Sequence, residues 1–546
     1  MKIAGVVSSF PPIRHRPGWI LHVCCVLLVW ALGACASLPP GAAYPKQIST
    51  ALPHPELTRL GMLLAGMGTA QGNNSGFRII SAGLDGFSLR LQMINAAEKS
   101  LDLQYYIFHG DETGRLLTEA LLQAADRGVR VRLLIDDGDT EDGDEQVNVI
   151  RGHPSIELRI FNPFAYRGHN DLIRGLEFIF NAPRLDYRMH NKIMIVDNSA
   201  VLFGGRNIGD QYFQIDPSSQ MADDDLFSIG PITRPLSQYF DVFWNSDLSI
   251  PAQAIERKEI SGAALVAFRT RLQAQNTQSR ADIEKGRKSG SAGDPLAGIL
   301  AGRLPLIWAP ARLIGDSPDK QNVENDEDIG SRIAPALFDY AGAVQTELLM
   351  ITPYLIPGTE GMRLFRELRQ RQVKIRLLTN SLESSTELVA QSGYMAYRIP
   401  LLEEGIDLYE IRSLIGNARG SGQALAMSRH GNYSLHAKLF VFDRRRLFIG
   451  SMNFDQRSMH LNTEIGVVID SPPLALQVAA RFSAMVQPAN SYKLELGRRG
   501  ETASSGLVWI TQEDNKRVEY DREPARSFWQ RLEADLISLL PIDSEL

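Results

Sequence analysis

One short pattern occurs twice in this chain, and it constrains the fold more than any other feature. The first copy reads His190-Asn191-Lys192, four residues, Asp197, six residues, Gly204-Gly205-Arg206-Asn207. The second reads His436-Ala437-Lys438, four residues, Asp443, six residues, Gly450-Ser451-Met452-Asn453. The spacing is identical, and the histidines lie 246 residues apart. A single His-x-Lys is weak evidence, because many histidines sit satisfied in a core. Two copies sharing five positions at fixed spacing predict an internal duplication and a molecule of two similar lobes.

The spacing carries chemistry. Each copy continues into apolar, β-branched residues (Ile193-Met194-Ile195-Val196 and Leu439-Phe440-Val441-Phe442) that end at an Asp turn signal. Both motifs therefore read as strands. Side chains alternate faces along a strand, so His190 and Lys192 point one way, as do His436 and Lys438. Each lobe then offers an imidazole beside an ammonium. Asp197 and Asp443 fall out of phase with that pair. They read as structural members of the motif, bonding to backbone or to a nearby cation. The later Gly lets the backbone approach closely, and Asn207 and Asn453 can donate to an anionic oxygen.

This arrangement resembles the paired HKD motifs of the phospholipase D superfamily. In that family two such motifs face each other across one site, and this chain carries both. The resemblance implies two-step phosphodiester transfer. One histidine attacks phosphorus while the other protonates the leaving alcohol; a second alcohol or water then attacks the phosphohistidine. His190 is assigned as nucleophile and His436 as acid/base, an assignment that pseudo-symmetry leaves reversible. Lys192, Lys438, Asn207 and Asn453 would hold the non-bridging oxygens. The chain has no Cys/His metal spacing, so neither a metal nor another cofactor is expected.

The resemblance also implies downstream carboxylates that orient the histidines and separate their protonation states. Asn462-Thr463-Glu464-Ile465-Gly466 resembles the family segment whose Glu does this, and Asp223-Asp224-Asp225-Leu226 stands in the equivalent place of the first half, with Asp225 as the expected partner. Within the superfamily the chain resembles cardiolipin-synthase-type enzymes and phospholipase-D-like lipoproteins, in stretches spread over most of residues 77–546. It departs from them between Asn380 and Tyr394. Relatives often place an acid and a His there, whereas Thr386 and Gln391 stand here as candidate head-group contacts.

Strand, helix and strand signals recur in short spans. Residues 101–108, 114–125 and 129–137 form one set, and 347–356, 362–371 and 373–379 the other. Such spans imply βαβ units and a largely parallel sheet. The expected fold is α/β: two similar phospholipase-D-like lobes, each a mostly parallel or mixed sheet flanked by helices, with one active site in the seam. The expected divisions are a lipoprotein-type signal peptide at 1–34 and a tether with an N-terminal arm at 35–76. The first lobe follows at 77–252 (motif 184–211), inter-lobe helices and loop at 253–304, and the second lobe at 305–546 (motif 430–457). Residues 286–293 and 414–430 read as loops, the latter favoured as a gate. Tyr105-Tyr106 and Phe528-Trp529 read as core aromatics.

The N-terminus gives a second strong signal. Arg14, His15 and Arg16 precede an apolar run from Trp19 to Ala34, with no Asp or Glu before Cys35. The run ends Leu32-Gly33-Ala34-Cys35, which resembles a bacterial lipobox and implies lipidation of Cys35. An uncleaved anchor is the alternative, although the run is short for a span of about 20 apolar residues. Ala36-Ser37 contains no Asp retention signal. The expected location is therefore the bacterial cell envelope, lipid-anchored and facing the periplasm, with outer membrane favoured over inner. Cleavage removes Lys2, Arg14 and Arg16 and takes the formal charge from −6 to −9. Such an acidic chain is a poor general binder of nucleic acid. All three cysteines lie in this segment, which excludes Cys catalysis in the folded body. Expected partners are membrane phospholipids, no nucleic acid, and a small protein partner that the sequence does not identify; the chain is expected to work as a monomer.

Three functions fit. The first is a phosphatidyltransferase of cardiolipin-synthase type acting on phosphatidylglycerol, with phosphatidylethanolamine as a further candidate. The second is a hydrolase using the same site on lipid or, less favoured, nucleic acid. The third is a catalytically silent, membrane-tethered binding protein.

Overall fold

The computed structural model describes residues 38–139, 148–168, 170–216, 218–256, 259–289, 294–320, 332–415, 433–497 and 506–539. Cys35, residues 1–37 as a whole, and residues 290–293 and 416–430 of the two expected loops lie outside the described residues.

The duplication is visible element by element. In the first lobe, strand Ser100–Ile107 leads to helix Glu112–Asp126. Asp111 caps that helix by accepting from Gly114 N, and Gly128 ends it in the left-handed region (φ +87°) that glycine adopts without strain. Strand Arg130–Asp139 then returns parallel to the first, Leu103 opposite Leu133. In the second lobe, strand Glu347–Ile351, helix Gly358–Gln370 and strand Lys374–Asn380 repeat the unit, Leu349 opposite Arg376.

Each motif then adds two antiparallel strands through a tight hairpin. Ile193–Val196 turns at Asp197-Asn198 (both φ +48°) into Ala200–Gly204. Leu439–Phe442 turns at Asp443-Arg444 (both φ +53°) into Arg446–Gly450. Three residues join the last paired positions in each hairpin, and positive φ at both central residues of the closing turn (Ser199 N to Val196 O, 2.9 Å; Arg445 N to Phe442 O, 3.0 Å) matches the strand twist; Asp and Asn tolerate it better than most side chains.

The sheets are mixed rather than largely parallel. Among the described strands only two ladders in each sheet are parallel, Ser100–Ile107/Arg130–Asp139/Ile156–Phe161 and Glu347–Ile351/Lys374–Asn380/Asp407–Ile411. Crossover helices build those ladders, and hairpins build the rest. Among the described residues the first sheet has nine strands and the second ten. Strand Ile307–Ala309 closes an edge of the first sheet, and Ala311–Gly315 opens the edge of the second. The chain therefore changes lobe at Pro310, a few residues beyond the boundary expected from sequence.

The lobes share a core. Met189, Ile195, Leu226 and Phe243 pack in one apolar cluster with Leu435, Leu447, Ile465 and Phe482 of the second lobe. Burying each such side chain contributes about 1.5–3 kcal/mol. A two-stranded parallel ribbon, Gln220–Ala222 with Tyr433–Leu435, crosses the seam beside the second histidine.

Candidate active site

The two histidines stand just before their strands rather than on them. The strands begin at Ile193 and Leu439, and the preceding extended segments are stitched to the opposite lobe. His190 N donates to Thr463 O (2.9 Å), and Thr463 N donates to Arg188 O (2.9 Å). His436 N and Ala437 N both donate to Ala222 O (2.8 and 3.0 Å). The residues after Thr463 and Ala222 are Glu464 and Asp223. Backbone pairing thus sets a carboxylate from one lobe beside the imidazole of the other.

That crossing decides the partners. His190 Nδ1 lies 2.9 and 3.0 Å from the Glu464 carboxylate oxygens. His436 Nδ1 lies 2.6 Å from Asp223 Oδ2. Asp223, not Asp225, is therefore the acid that orients a histidine in the first half of the chain. Asp225 is buried between two guanidinium groups, taking Arg90 at 2.8 Å on each oxygen and Arg206 Nη1 at 2.9 Å. Asp224 takes Arg481 and Ser81. The structure turns three consecutive acids into one histidine partner and two structural ion-pair members.

Nδ1 engagement leaves Nε2 of each imidazole as the free nitrogen. Both histidines line one cavity of about 520 Å³, together with Asn207, Asn453, Tyr106 and Tyr212. Lys192 Nζ donates to His190 O (2.7 Å) and lies 5.1 Å from the Tyr106 ring centre. Lys438 Nζ donates to His436 O (2.5 Å) and sits 3.0 Å from His436 Nδ1. Tyr106 and Tyr212 meet His190 and His436 edge-on, at 5.1 and 5.2 Å. Asn207 accepts from Ile107 N and donates to Tyr212 Oη, whereas Asn453 Oδ1 is buried without a hydrogen-bond partner. Asp197 and Asp443, grouped with the catalytic set by their place in the motif, lie away from the cavity. Asp197 accepts from the backbone of Glu98, Lys99 and Ser100 (2.8–2.9 Å), and Asp443 from Gln345, Thr346 and Glu347. Each ties a hairpin turn to the start of the neighbouring parallel strand.

Burial sets the electrostatics. It drives His190 well below the ordinary imidazole value, reinforced by Lys192 and Lys438. Burial and Lys438 bring His436 down to about 3, against the opposing pull of Asp223. Glu464 is pushed up to about 7 by burial, with Lys192 opposing. Burial also acts on Asp223, but His436, Lys438 and Arg206 outweigh it and hold this carboxyl well below the usual range. Lys438 falls to about 8 through burial, and Lys192 is lowered well below its ordinary value for the same reason. Burial thus disfavours the charged form of both imidazoles and both lysines, while Asp223 stays firmly ionised beside them.

The rim differs from expectation at two places. Thr386 lines the cavity as anticipated, but Gln391 is buried behind it with its side-chain amide against Arg398. Glu387 and Tyr354 line the cavity instead. Asp455 joins them from the cap of helix Gln456–His460, where it accepts from Ser458 N (2.6 Å), and burial raises it to about 7. Sequence gave no periodic signal for these rim residues, because they sit at the ends of elements.

Two lobes joined by crossed histidine–carboxylate pairs define a phospholipase-D-like enzyme. The family model described as "Cardiolipin synthase, PLD-like domain" matches residues 91–244 and 338–486, and the chain belongs to that family. It is 37% identical to cardiolipin synthase C of Escherichia coli, over 84% of this chain and 94% of that protein. It is 25% identical to cardiolipin synthase 1 of Bacillus anthracis, over 71% of this chain and 62% of that protein. Phosphatidylserine synthase of Haemophilus influenzae shares the fold with a TM-score of 0.51 at 12% identity, covering 79% of this chain and 91% of that one. The chain is thus a phosphatidyltransferase of the phospholipase D superfamily. Among the described residues no helix is long and apolar enough to cross a membrane.

Proposed function

We propose that this enzyme makes cardiolipin by phosphatidyl transfer through a phosphohistidine. The observation that carries the reading is the pair of imidazoles sharing one cavity, each with Nδ1 held by a carboxylate of the opposite lobe. Relatives named cardiolipin synthases support the substrate class. His190 Nε2 attacks the phosphorus of phosphatidylglycerol, forming the N–P bond, and the glycerol oxygen leaves with a proton from His436. His436 then takes the proton of the terminal hydroxyl of a second phosphatidylglycerol. That oxygen attacks phosphorus, the N–P bond breaks, and cardiolipin is released with His190 neutral and His436 again carrying the proton it held before the first transfer. Phosphatidylethanolamine is the second candidate donor, releasing ethanolamine instead.

The unequal carboxylate partners support this direction: Asp223 is held well below the usual range, whereas Glu464 is raised to about 7. His190, lowered by burial and paired with Glu464, starts as the neutral nucleophile. His436 faces the ionised Asp223, which opposes the burial that lowers it; the negative charge of an entering phosphate adds to that pull, and His436 takes up the proton it must carry from solvent as substrate binds. Lys192 and Lys438 stabilise the charge growing on the non-bridging oxygens. Both pairs form within one chain, which supports action as a monomer. We further propose a lipidated Cys35 that tethers the protein to the periplasmic side of the envelope, outer membrane favoured. Metabolic labelling with palmitate, lost in Cys35→Ser, tests that anchor.

The function is tested with the purified protein on vesicles of phosphatidylglycerol alone and mixed with phosphatidylethanolamine, with products resolved by mass spectrometry. Cardiolipin plus glycerol or ethanolamine, absent with His436→Ala, is the expected result. Phosphatidic acid alone would assign the site to hydrolysis, and no product from either mixture would remove the cardiolipin reading.

A further inference from the structure

Two amphipathic helices in this molecule are inside out. Helix Asp171–Phe180 docks by its polar side. Arg174 donates to Asp137 O (2.7 Å) and covers the ring of buried Phe164, while the Glu177 carboxylate accepts from Ala165 N and Tyr166 N. Its apolar arc faces outward, with Leu172, Leu176 and Ile179 at 72, 45 and 68% exposure. Helix Phe528–Ile537 repeats the inversion. Gln530 donates to Leu382 O (2.8 Å) and Ala534 is buried, but Phe528 and Trp529 are 66 and 73% exposed and Leu536 follows on the same arc. A helix in a globular protein ordinarily turns its apolar stripe to the core.

Their placement is equivalent in the two lobes. The first helix is anchored on Asp137, near the end of strand Arg130–Asp139; the second on Leu382, just past the end of strand Lys374–Asn380. Those strands are counterparts in the duplication, each parallel to the first strand of its lobe. The same rim carries the cavity. Asp136 accepts from Met189 N, next to His190. Ser392 Oγ, on the helix whose Val389 and Ala390 line the cavity, donates to Ala534 O (3.1 Å). Exposed Arg522 and Arg526 precede the Phe528-Trp529 pair.

We propose that these two outward-facing helices seat the enzyme on the surface of an anionic phospholipid bilayer, so that the cavity opens onto the head groups. The inference rests on the lipid-substrate reading above and adds the surface and orientation by which the lipid is reached. An apolar arc bearing Trp and Phe, flanked by Arg, is the chemistry of an interfacial helix, and its continuity with the cavity rim selects lipid over other occupants. A lipid held in the plane of a membrane presents its phosphodiester only to a protein pressed against that plane.

The test compares the full-length parent with Leu172→Gln/Ile179→Gln and Phe528→Gln/Trp529→Gln, all checked for unchanged melting. Each is assayed on phosphatidylglycerol vesicles and on dihexanoyl phosphatidylglycerol below its micelle concentration. The expected result is at least a tenfold loss on vesicles, with turnover of the monomeric lipid within twofold of the parent. Quenching by bromine-labelled lipid vesicles should also be smaller for Trp529→Phe than for the parent. Equal losses on both lipids, or no loss on vesicles, would overturn the proposal. So would a change from dimer to monomer with vesicle turnover intact, which would give this face to a second copy. Failure of the parent on both lipids would instead strike the lipid-substrate reading itself.

Discussion

Asp223 and Asp225 are two residues apart and have opposite jobs, and register explains why. Gly204 pairs with Asp225 in the first sheet and Gly450 with Gly466 in the second. Two residues before each partner stand Asp223 and Glu464, so these are the equivalent positions. The sequence hides this because 19 residues separate Gly204 from Asp223 but 14 separate Gly450 from Glu464. The histidines, lysines and asparagines are legible because their spacing is rigid; the carboxylates follow loops of unequal length, and of the two expected from sequence only Glu464 stands beside a histidine. The two aspartates should respond differently. Asp223→Asn is expected to lower kcat by roughly 10²–10⁴-fold with little change in Tm, since the amide carries no charge to stabilise the imidazolium and can turn an N–H towards Nδ1, favouring the wrong tautomer. Asp225→Asn leaves Arg90 and Arg206 buried against a neutral group and should cost roughly 3–5 kcal/mol. Kinetics and thermal melts of both variants would refute the assignment if the losses were exchanged. Lys438, held at about 8, sets a second expectation. Its ammonium is lost as pH rises through 8, so kcat/KM, which reports the free enzyme, should fall on that side. In Lys438→Arg, whose charge persists, the alkaline limb should move upward by more than one pH unit. An unmoved limb would assign it to another group.

At the scale of elements, apolar periodicity found the strands and helices but not which way they face. Residues 114–125 carry a helix signal, and Leu117 and Leu121 on that helix are fully buried. Phe528 and Trp529, expected in the core, are exposed. The pattern of an inverted helix is identical to that of an ordinary one; only its partners distinguish them. Tyr106 likewise left the expected core for the cavity wall, because the strand ends there. The repeated hairpin shows the opposite case, in which a sequence position predicted a structural duty. Asp197 is fully buried and holds three backbone N–H groups, whereas Asp443 makes equivalent bonds at a partly exposed turn. Removing a buried acceptor strands its donors without water, so Asp197→Ala should cost about 2–4 kcal/mol and Asp443→Ala about half of that. Neither should change kcat more than a few-fold at a temperature where the variant stays folded. Urea denaturation checks the ordering, and equal losses would show that burial does not control the contribution.

At the scale of the molecule, the catalytic seam is also the structural one. Neither histidine has its carboxylate in its own lobe, each histidine's backbone is bonded to the other lobe, and one apolar cluster runs through both. The two motifs in the sequence implied two lobes and one site, but not this crossing, since strand pairing between lobes leaves no local pattern. A molecule built this way should unfold in one cooperative transition despite its size, because opening the seam exposes the core of both halves. The buried ionisable groups make that transition depend on pH in a definite direction. Burial pushes Glu464 up from an ordinary 4.5 to about 7 in the folded protein, so folding favours its protonated form. Its contribution to stability is fully present below 4.5 and is lost as pH rises through 7. At 1.36 kcal/mol per unit the swing is about 3 kcal/mol. Glu464→Gln cannot ionise and lacks this dependence. Relative to the parent it should therefore gain about 3 kcal/mol in unfolding free energy between pH 4.5 and pH 8, while losing activity at every pH. Calorimetry across that range decides the matter. Two separate transitions would mean that the lobes are not coupled through the seam, and a constant difference between variant and parent would mean that Glu464 is already ionised in the folded enzyme at pH 4.5.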